Sequence, residues 1–198
     1  MATATLKTPG ATGTRQRLID VAVRLFTQHS FAGTSLQMIA DELGVTKAAV
    51  YHHFHTREEL LTAVVQPLLD RVREIIEAAE AQRSRHARAE SMLTGYVDLV
   101  VRNQDLMAAL VGDPGVLEML RTQRDPGDVI NRQLALLAGV DPGPGGLVKA
   151  AIVLAGIAGA VGPKLLDLDD DALRQHLVEA GRRTLGLRTP RRPVNHSS

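Results

Sequence analysis

Apolar residues recur along this chain with helical spacing almost from end to end, and no stretch shows the alternation of a half-buried strand. Leu18, Ala22, Leu25 and Phe26 mark one face of a first helix over 15–29, for which Thr14 is the expected N-cap. Leu36, Ile39, Ala40 and Leu43 continue the pattern until Gly44-Val45 breaks it. A new helix then starts at Thr46 with Val50 and Phe54 on its inner side. Two short helices joined by a glycine-containing turn form a helix-turn-helix, and Gly44 supplies the positive φ that such a turn needs. Thr34 with Gln37, and Thr56 with Glu59, read as capping boxes for the helices that follow them. The second box opens a long helix with a stripe of Leu61, Val65, Leu68, Val72, Ile75, Ile76 and Ala79. Pro67 lies inside it, where the missing N–H predicts a kink.

The later pattern predicts helices over 87–104, 106–111, 116–121, 128–138, 147–161 and 170–185. The breaks fall at Gly112-Asp113-Pro114-Gly115, at Asp125-Pro126-Gly127 and across 141–146. The fold class is therefore all-α, with a three-helix N-terminal helix-turn-helix domain and a larger C-terminal helical domain, about nine helices in all. The expected boundaries are a disordered N-terminus at 1–13, the helix-turn-helix domain at 14–60, the larger domain at 61–187 and a disordered basic tail at 188–198. The helix over 147–161 is apolar nearly all round apart from Lys149, which predicts burial on most sides. Its small stripe, Ala151, Ala155 and Gly159 beside Leu154, invites another helix to come close. Together with Leu173, Leu177, Ala180 and Thr184 of the last helix, it forms the expected interface of a homodimer; the plainer alternative is that both helices close a monomeric core.

Charge divides the chain. Residues 1–57 carry six bases against three acids, residues 181–198 carry five arginines and no acid, and the middle is left with 12 bases against 19 acids. Contact with a polyanion therefore belongs to the N-terminal unit and the tail. Cysteine is absent, so neither a disulfide framework nor a thiolate metal site exists, which suits a cytoplasmic protein. The first 13 residues have no apolar core of signal-peptide length, and no apolar run is long enough to span a bilayer. Four of the five aromatic residues (Phe26, Phe31, Tyr51 and Phe54) fall in the first 54 positions, leaving Tyr96 alone thereafter.

Several chemical readings fail on the residues present. His52, His53 and His55 have no adjacent carboxylate, and their spacing brings only two near one face, so no metal is expected. Asp167, Asp169 and Asp171 open like a calcium loop, but Ala172 stands where glycine is required. No nucleophile motif or phosphate loop is found, so neither an enzyme nor a cofactor is expected.

The stretch from Leu18 to about Leu61 resembles the N-terminal DNA-binding domain of the tetracycline-repressor (TetR-like) family of bacterial regulators. The residues that carry the resemblance are Ala22, Leu25-Phe26, Thr34-Ser35, Ile39-Ala40, Leu43-Gly44-Val45, Tyr51-His52-His53-Phe54 and Arg57 to Leu61. It implies a homodimer that sets one recognition helix per subunit into successive major grooves of a palindromic operator, with a helical domain binding a small-molecule effector that releases DNA. An activator or ligand-independent DNA-binding protein is the alternative, and a helical enzyme a more distant one. Carried onto this chain, the DNA contacts fall on Thr34, Ser35, Gln37, Thr46, Lys47, Ala48, Ala49, Tyr51, His52, His53 and Arg57, with Tyr51 and Arg57 on phosphate. Ala48 and Ala49 replace the glycine and threonine of many relatives, and their methyls suit a thymine methyl. Ser30 stands where glycine commonly ends the first helix, a costly substitution if that backbone is left-handed. The expected effector cavity is lined by Met92, Tyr96, Leu99, Val100, Met107, Leu110, Leu117, Leu120 and Leu134, which suits a lipophilic or mixed ligand.

Overall fold

In a computed structural model, which describes residues 11–122, 124–161 and 168–187, ten helices and no strand are found among the described residues. They are α1 (Ala11–His29), α2 (Leu36–Leu43), α3 (Lys47–His53), α4 (Arg57–Glu80) and α5 (Arg85–Arg102), followed by α6 (Gln104–Val111), α7 (Pro114–Thr122), α8 (Arg124–Ala138), α9 (Pro144–Ala160) and α10 (Asp170–Leu185). The N-terminal residues 1–10 and the tail 188–198 lie outside this description.

Local chemistry accounts for most helix ends. Thr46, Thr56, Ser84 and Asp169 each accept a hydrogen bond from the backbone N–H three residues on, which satisfies an amide the helix itself leaves unpaired. At α4 the capping box is displaced by one residue, since Glu59 accepts from the N–H of His55. The expected box at Thr34 is not formed. Ser35 caps α2 instead, accepting from Met38 N at 3.1 Å, and Gln37 donates to Asp41. Gly44 ends α2 in the left-handed conformation, with the Val45 N–H returning to Ala40 O and the Gly44 N–H to Asp41 O.

Three Pro-Gly pairs expected in breaks begin helices. Pro114-Gly115 opens α7, Pro126-Gly127 lies in the first turn of α8, and Pro144-Gly145 opens α9. Proline is compatible with a first turn because its missing N–H would have no partner there. Thr14, expected to cap α1, lies inside it.

Two apolar cores divide the molecule. The first gathers Leu18, Phe26, Ile39, Val50, Phe54, Leu60 and Leu61, and it is completed by Leu110 and Val116 from α6 and α7. The second is built on Ile76, Met92, Leu93, Val97, Val100, Leu137, Val153 and Leu173. Helix α4 serves both, with Val64 and Val65 in the first and Val72 and Ile76 in the second. Its 24 residues run through Pro67 and span about 36 Å at 1.5 Å per residue. Helix α10 lies close on α5 because Gly181 carries no side chain: a Cβ there would come within 2.5 Å of Leu93 Cδ1. Arg182 to Glu90 and Arg174 to Asp98 add ion pairs across that contact.

Ser30 has φ of 62°, the one positive value outside glycine among the described residues. The strain costs about 1 kcal/mol, and it is partly offset because Ser30 Oγ accepts from Gly33 N at 3.2 Å. Ser30→Gly should therefore raise stability by up to about 0.5 kcal/mol, whereas Ser30→Ala, which keeps the strain and loses the bond, should lower it by about as much. Thermal unfolding of the two variants gives the sign directly; an alanine variant more stable than the glycine variant would refute this account.

Candidate nucleic-acid interface

Helix α3 is held by its inner side. Val50 is fully buried and Phe54 nearly so, which turns Lys47, Ala48, Tyr51 and His52 outward to solvent. Thr46 is also exposed while capping the helix, and Ala49 and His53 sit half-buried at its flanks. Lys47 Nζ lies 5.4 Å from the centroid of the Tyr51 ring, so the cation and the phenol share one patch. The His52 and His53 rings meet edge to face at 5.1 Å. Arg15 on α1 stacks over Phe54 at 5.0 Å, and Arg17 is exposed nearby in sequence, placing cations beside the same unit. The arrangement offers a convex, exposed helix with a polar rim and two small methyl-bearing positions, a shape that fits a DNA major groove.

Two of the expected contacts are otherwise employed. Thr34 is 1 % exposed, and its Oγ1 donates to Ser30 O at 2.8 Å, so the hydroxyl faces inward. Arg57, expected to grip phosphate, donates through Nη1 to Ala32 O at 3.2 Å and Thr34 O at 3.1 Å. Its guanidinium also lies 5.2 Å from the Phe31 ring centroid. Arg57 therefore ties the start of α4 to the segment between α1 and α2. Ser35 and Gln37 remain exposed, each already engaged within α2.

Asp113, which the sequence pattern treated only as part of a break, is the residue that reading overlooked. It is 3 % exposed, and its Oδ2 accepts from Ala32 N at 2.9 Å. Its Oδ1 accepts from Gly115 N at 2.9 Å and Val116 N at 3.4 Å, so the same carboxylate starts α7. An Asp before Pro is a recognisable helix-start signal, but its partner 81 positions away is not legible in one chain.

The residues expected around an effector do not form one cluster. Met92 and Val100 are fully buried in the second core, Leu99 is nearly so, and Tyr96, Met107 and Leu134 are partly buried against it. Leu110 belongs to the first core instead. The side chains of Leu117 and Leu120 lie outside the described residues. Burial pushes the Tyr96 phenol up to about 12. Beside Leu134, Gln133 is 5 % exposed and its Nε2 has no hydrogen-bond partner, a buried donor that sequence reasoning passed over. An open groove of about 520 Å³ runs between α4 and α5, lined in part by Pro67, Leu68, Arg71, Glu74, Leu99 and Arg102. Among the described residues, no three metal-ligating side chains converge, and no helix is long and apolar enough to cross a membrane.

The expected dimer face is partly free. Ala151, Ala155, Gly159 and Ala180 are exposed, and Leu154, Leu177 and Thr184 are half-buried. Leu173 is buried in its own core and is not available to a partner. Leu147, Val148 and Ile152, which the small-residue pattern did not single out, are exposed by 51 %, 57 % and 58 %.

Residues 18–64 match the family model described as bacterial regulatory proteins, tetR family. Among curated relatives, the chain is 31 % identical over 105 residues to the HTH-type transcriptional repressor KstR2 of Rhodococcus jostii, covering 51 % of this chain and 50 % of that protein. It is 45 % identical over 51 residues to the HTH-type transcriptional regulator AcrR of Shigella flexneri, covering 26 % of this chain and 24 % of that one. The chain thus spans half or less of the length of these curated relatives. Among solved structures, Mycobacterium smegmatis AmtR superposes with a TM-score of 0.69 at 21 % identity, covering 94 % of this chain and 92 % of that one. The ketosteroid transcriptional regulator KstR2 of Mycobacterium tuberculosis gives 0.64 at 17 % identity, covering 89 % and 95 %. At those identities the structural likeness speaks for the fold.

The geometry separates two cations that look alike in sequence. Arg57→Ala should cost about 1–2 kcal/mol of stability through its carbonyl bonds and ring contact, while Lys47→Ala on the exposed face should change it by less than about 0.5 kcal/mol. Chemical denaturation of both variants tests this, and equal stabilities would remove Arg57 from the tether.

Proposed function

We propose that this chain, whose residues 18–64 match the tetR family of bacterial regulatory proteins, is a dimeric, cytoplasmic transcriptional repressor, released from a palindromic operator by a small-molecule effector. The observation that carries the DNA-binding part is the outward presentation of α3 by buried Val50 and Phe54. Lys47, Ala48, Tyr51 and His52 then meet the major groove, with Thr46 at the backbone and Ala49 and His53 at the edges. Helix N-terminal side chains and amides position such a helix on phosphate, and the alanine methyls read thymine.

One copy of this surface carries little charge, so useful affinity calls for two heads at about one helical turn of separation. The partner surface is the exposed face of α9, where Leu147, Val148, Ala151, Ile152, Ala155 and Gly159 leave apolar atoms in water. Pairing it with the same face of a second copy buries side chains that otherwise lose about 25 cal/mol per Å² of exposed apolar surface. The 14–60 and 61–187 division serves this reading as a functional one, head and regulator, although Leu110 and Val116 pack into the head's core.

Effector sensing draws support from Tyr96, packed against the second core, and from the buried, unpaired Gln133 donor next in sequence to Leu134, which packs against the same core. A ligand offering an acceptor to either would satisfy a group that burial otherwise penalises. Movement there reaches the head through α4, which belongs to both cores.

Two measurements test the proposal. Lys47→Ala should weaken operator binding and reduce the slope of log K against log salt by about 0.9, in fluorescence anisotropy across a salt series; an unchanged slope would place α3 off the phosphate backbone. Ile152→Asp should convert the dimer to monomer in sedimentation and lower operator affinity at least about tenfold. A dimer that survives this change would move the interface elsewhere.

A further inference from the structure

At the end of α4 farthest from α3, a second open groove of about 570 Å³ lies between α4, α5 and α8. Its charged lining is Glu80, Arg85, Arg88 and Arg132, three guanidiniums against one carboxylate, and Leu136 and Pro142 form an apolar side. The two other grooves described are balanced. Arg71 and Arg102 face Glu74 and Asp98 in one, and Arg24 and Arg102 face Asp105 and Asp170 in the other. A cationic excess is the more notable because residues 58–180 carry 12 bases and 19 acids.

The arginines are not equivalent. Arg132 grips Glu80 through Nη2 at 2.9 Å and Nε at 3.4 Å, which neutralises one charge and fixes one wall. Arg88 donates Nε to Gln82 O at 2.9 Å, which orients the guanidinium, and it makes no ion pair with a described residue. Arg85 makes no ion pair with a described residue, and it occupies the first turn of α5, where the helix dipole disfavours a cation. Two guanidiniums on one concave wall, neither in an ion pair with a described residue, are unfavourable in the empty protein and become favourable with a bound anion.

DNA held by α3 does not reach this groove. Arg57 and Glu80 are the two ends of α4, about 35 Å apart at 1.5 Å per residue. The ligand must therefore be a second anion. It needs at least two charges to serve both Arg85 and Arg88, with several oxygens to meet planar forks, which favours linked phosphates over a single carboxylate. We propose that this groove binds the diphosphate or triphosphate group of a small molecule, with Arg85 and Arg88 as the anion contacts and Arg132 as the positioning residue paired to Glu80.

Titration calorimetry of the full chain with sodium pyrophosphate and with sodium tripolyphosphate, at about 0.15 M salt, tests the site directly and requires neither operator nor effector. Saturable binding tighter than about 1 mM is expected, weakened at least about tenfold in the R85Q/R88Q double variant. R71Q/R102Q and Lys47→Ala should bind as the unaltered chain does. Adenosine diphosphate in the same series separates the sources: tighter binding than pyrophosphate means that a nucleoside lies on the Leu136 and Pro142 side, and equal binding means that the phosphates alone are recognised. Circular dichroism melts confirm that R85Q/R88Q folds. Absence of saturable heat to about 5 mM, full affinity in folded R85Q/R88Q, or loss of binding in Lys47→Ala would each overturn the proposal. These results are independent of operator binding, so the repressor reading stands or falls separately.

Discussion

Asp113 sets one carboxylate oxygen on the amide of Ala32 and the other on the amides of Gly115 and Val116, and it does so out of water. A buried carboxylate without donors would be prohibitively costly, so the backbone on both sides must present its N–H groups in this arrangement for the anion to be buried at all. The segment after α1 bends accordingly. Ser30 takes up the left-handed conformation, Thr34 turns its hydroxyl back onto Ser30 O, and Arg57 covers two carbonyls, Ala32 O and Thr34 O. Phe31, edge-on to Phe26 and under the Arg57 guanidinium, fills the space beneath. Helices from three distant parts of the chain thereby meet at the short connection between α1 and α2.

In the proposed repressor, this joint lies between the reading head and the regulatory domain. Leu110 and Val116, on either side of Asp113, are buried members of the reading head's own core. The head is thus seated on α6 and α7 by apolar contact and located by a directional one, while α4 supplies the long lever to the second core. Apolar contacts tolerate sliding; three aligned hydrogen bonds to one carboxylate do not. A shift of α7 by even an ångström would trade those bonds for unpaired buried groups, so the joint favours discrete positions over a graded slide.

The same contrast between local and distant partners decides what a single chain reveals. Helical periodicity, the Gly44 turn, the helix start at Thr46 and the cap at Thr56 were legible because each depends on residues within about one turn of one another. The outward face of α3 was legible too, since Val50 and Phe54 are four apart and only one side of a helix can bury both. Pro-Gly pairs misled for a related reason: they signal a change of direction, and whether the chain turns or starts a helix there depends on what packs against the next turn.

Arg57 shows the limit most clearly. By sequence it is a cation at the start of a helix next to a DNA-reading unit, which is also the description of a phosphate contact. Its partners are carbonyls 23 and 25 positions away, set facing it by the bend that Asp113 imposes on Ala32 from 81 positions further along the chain. Sequence alone determined the all-helical class, the helix-turn-helix, the outward face of its second helix and the separation of charge between head and body, because periodicity and composition are sums over neighbouring residues. Only the tertiary structure decided that Thr34 and Arg57 serve the joint, that Leu110 belongs to the head, and that α9 presents its large apolar residues to water. Those outcomes depend on which backbone groups approach one another in space, and the pairing of buried donors and acceptors across such distances leaves no periodic trace in the chain.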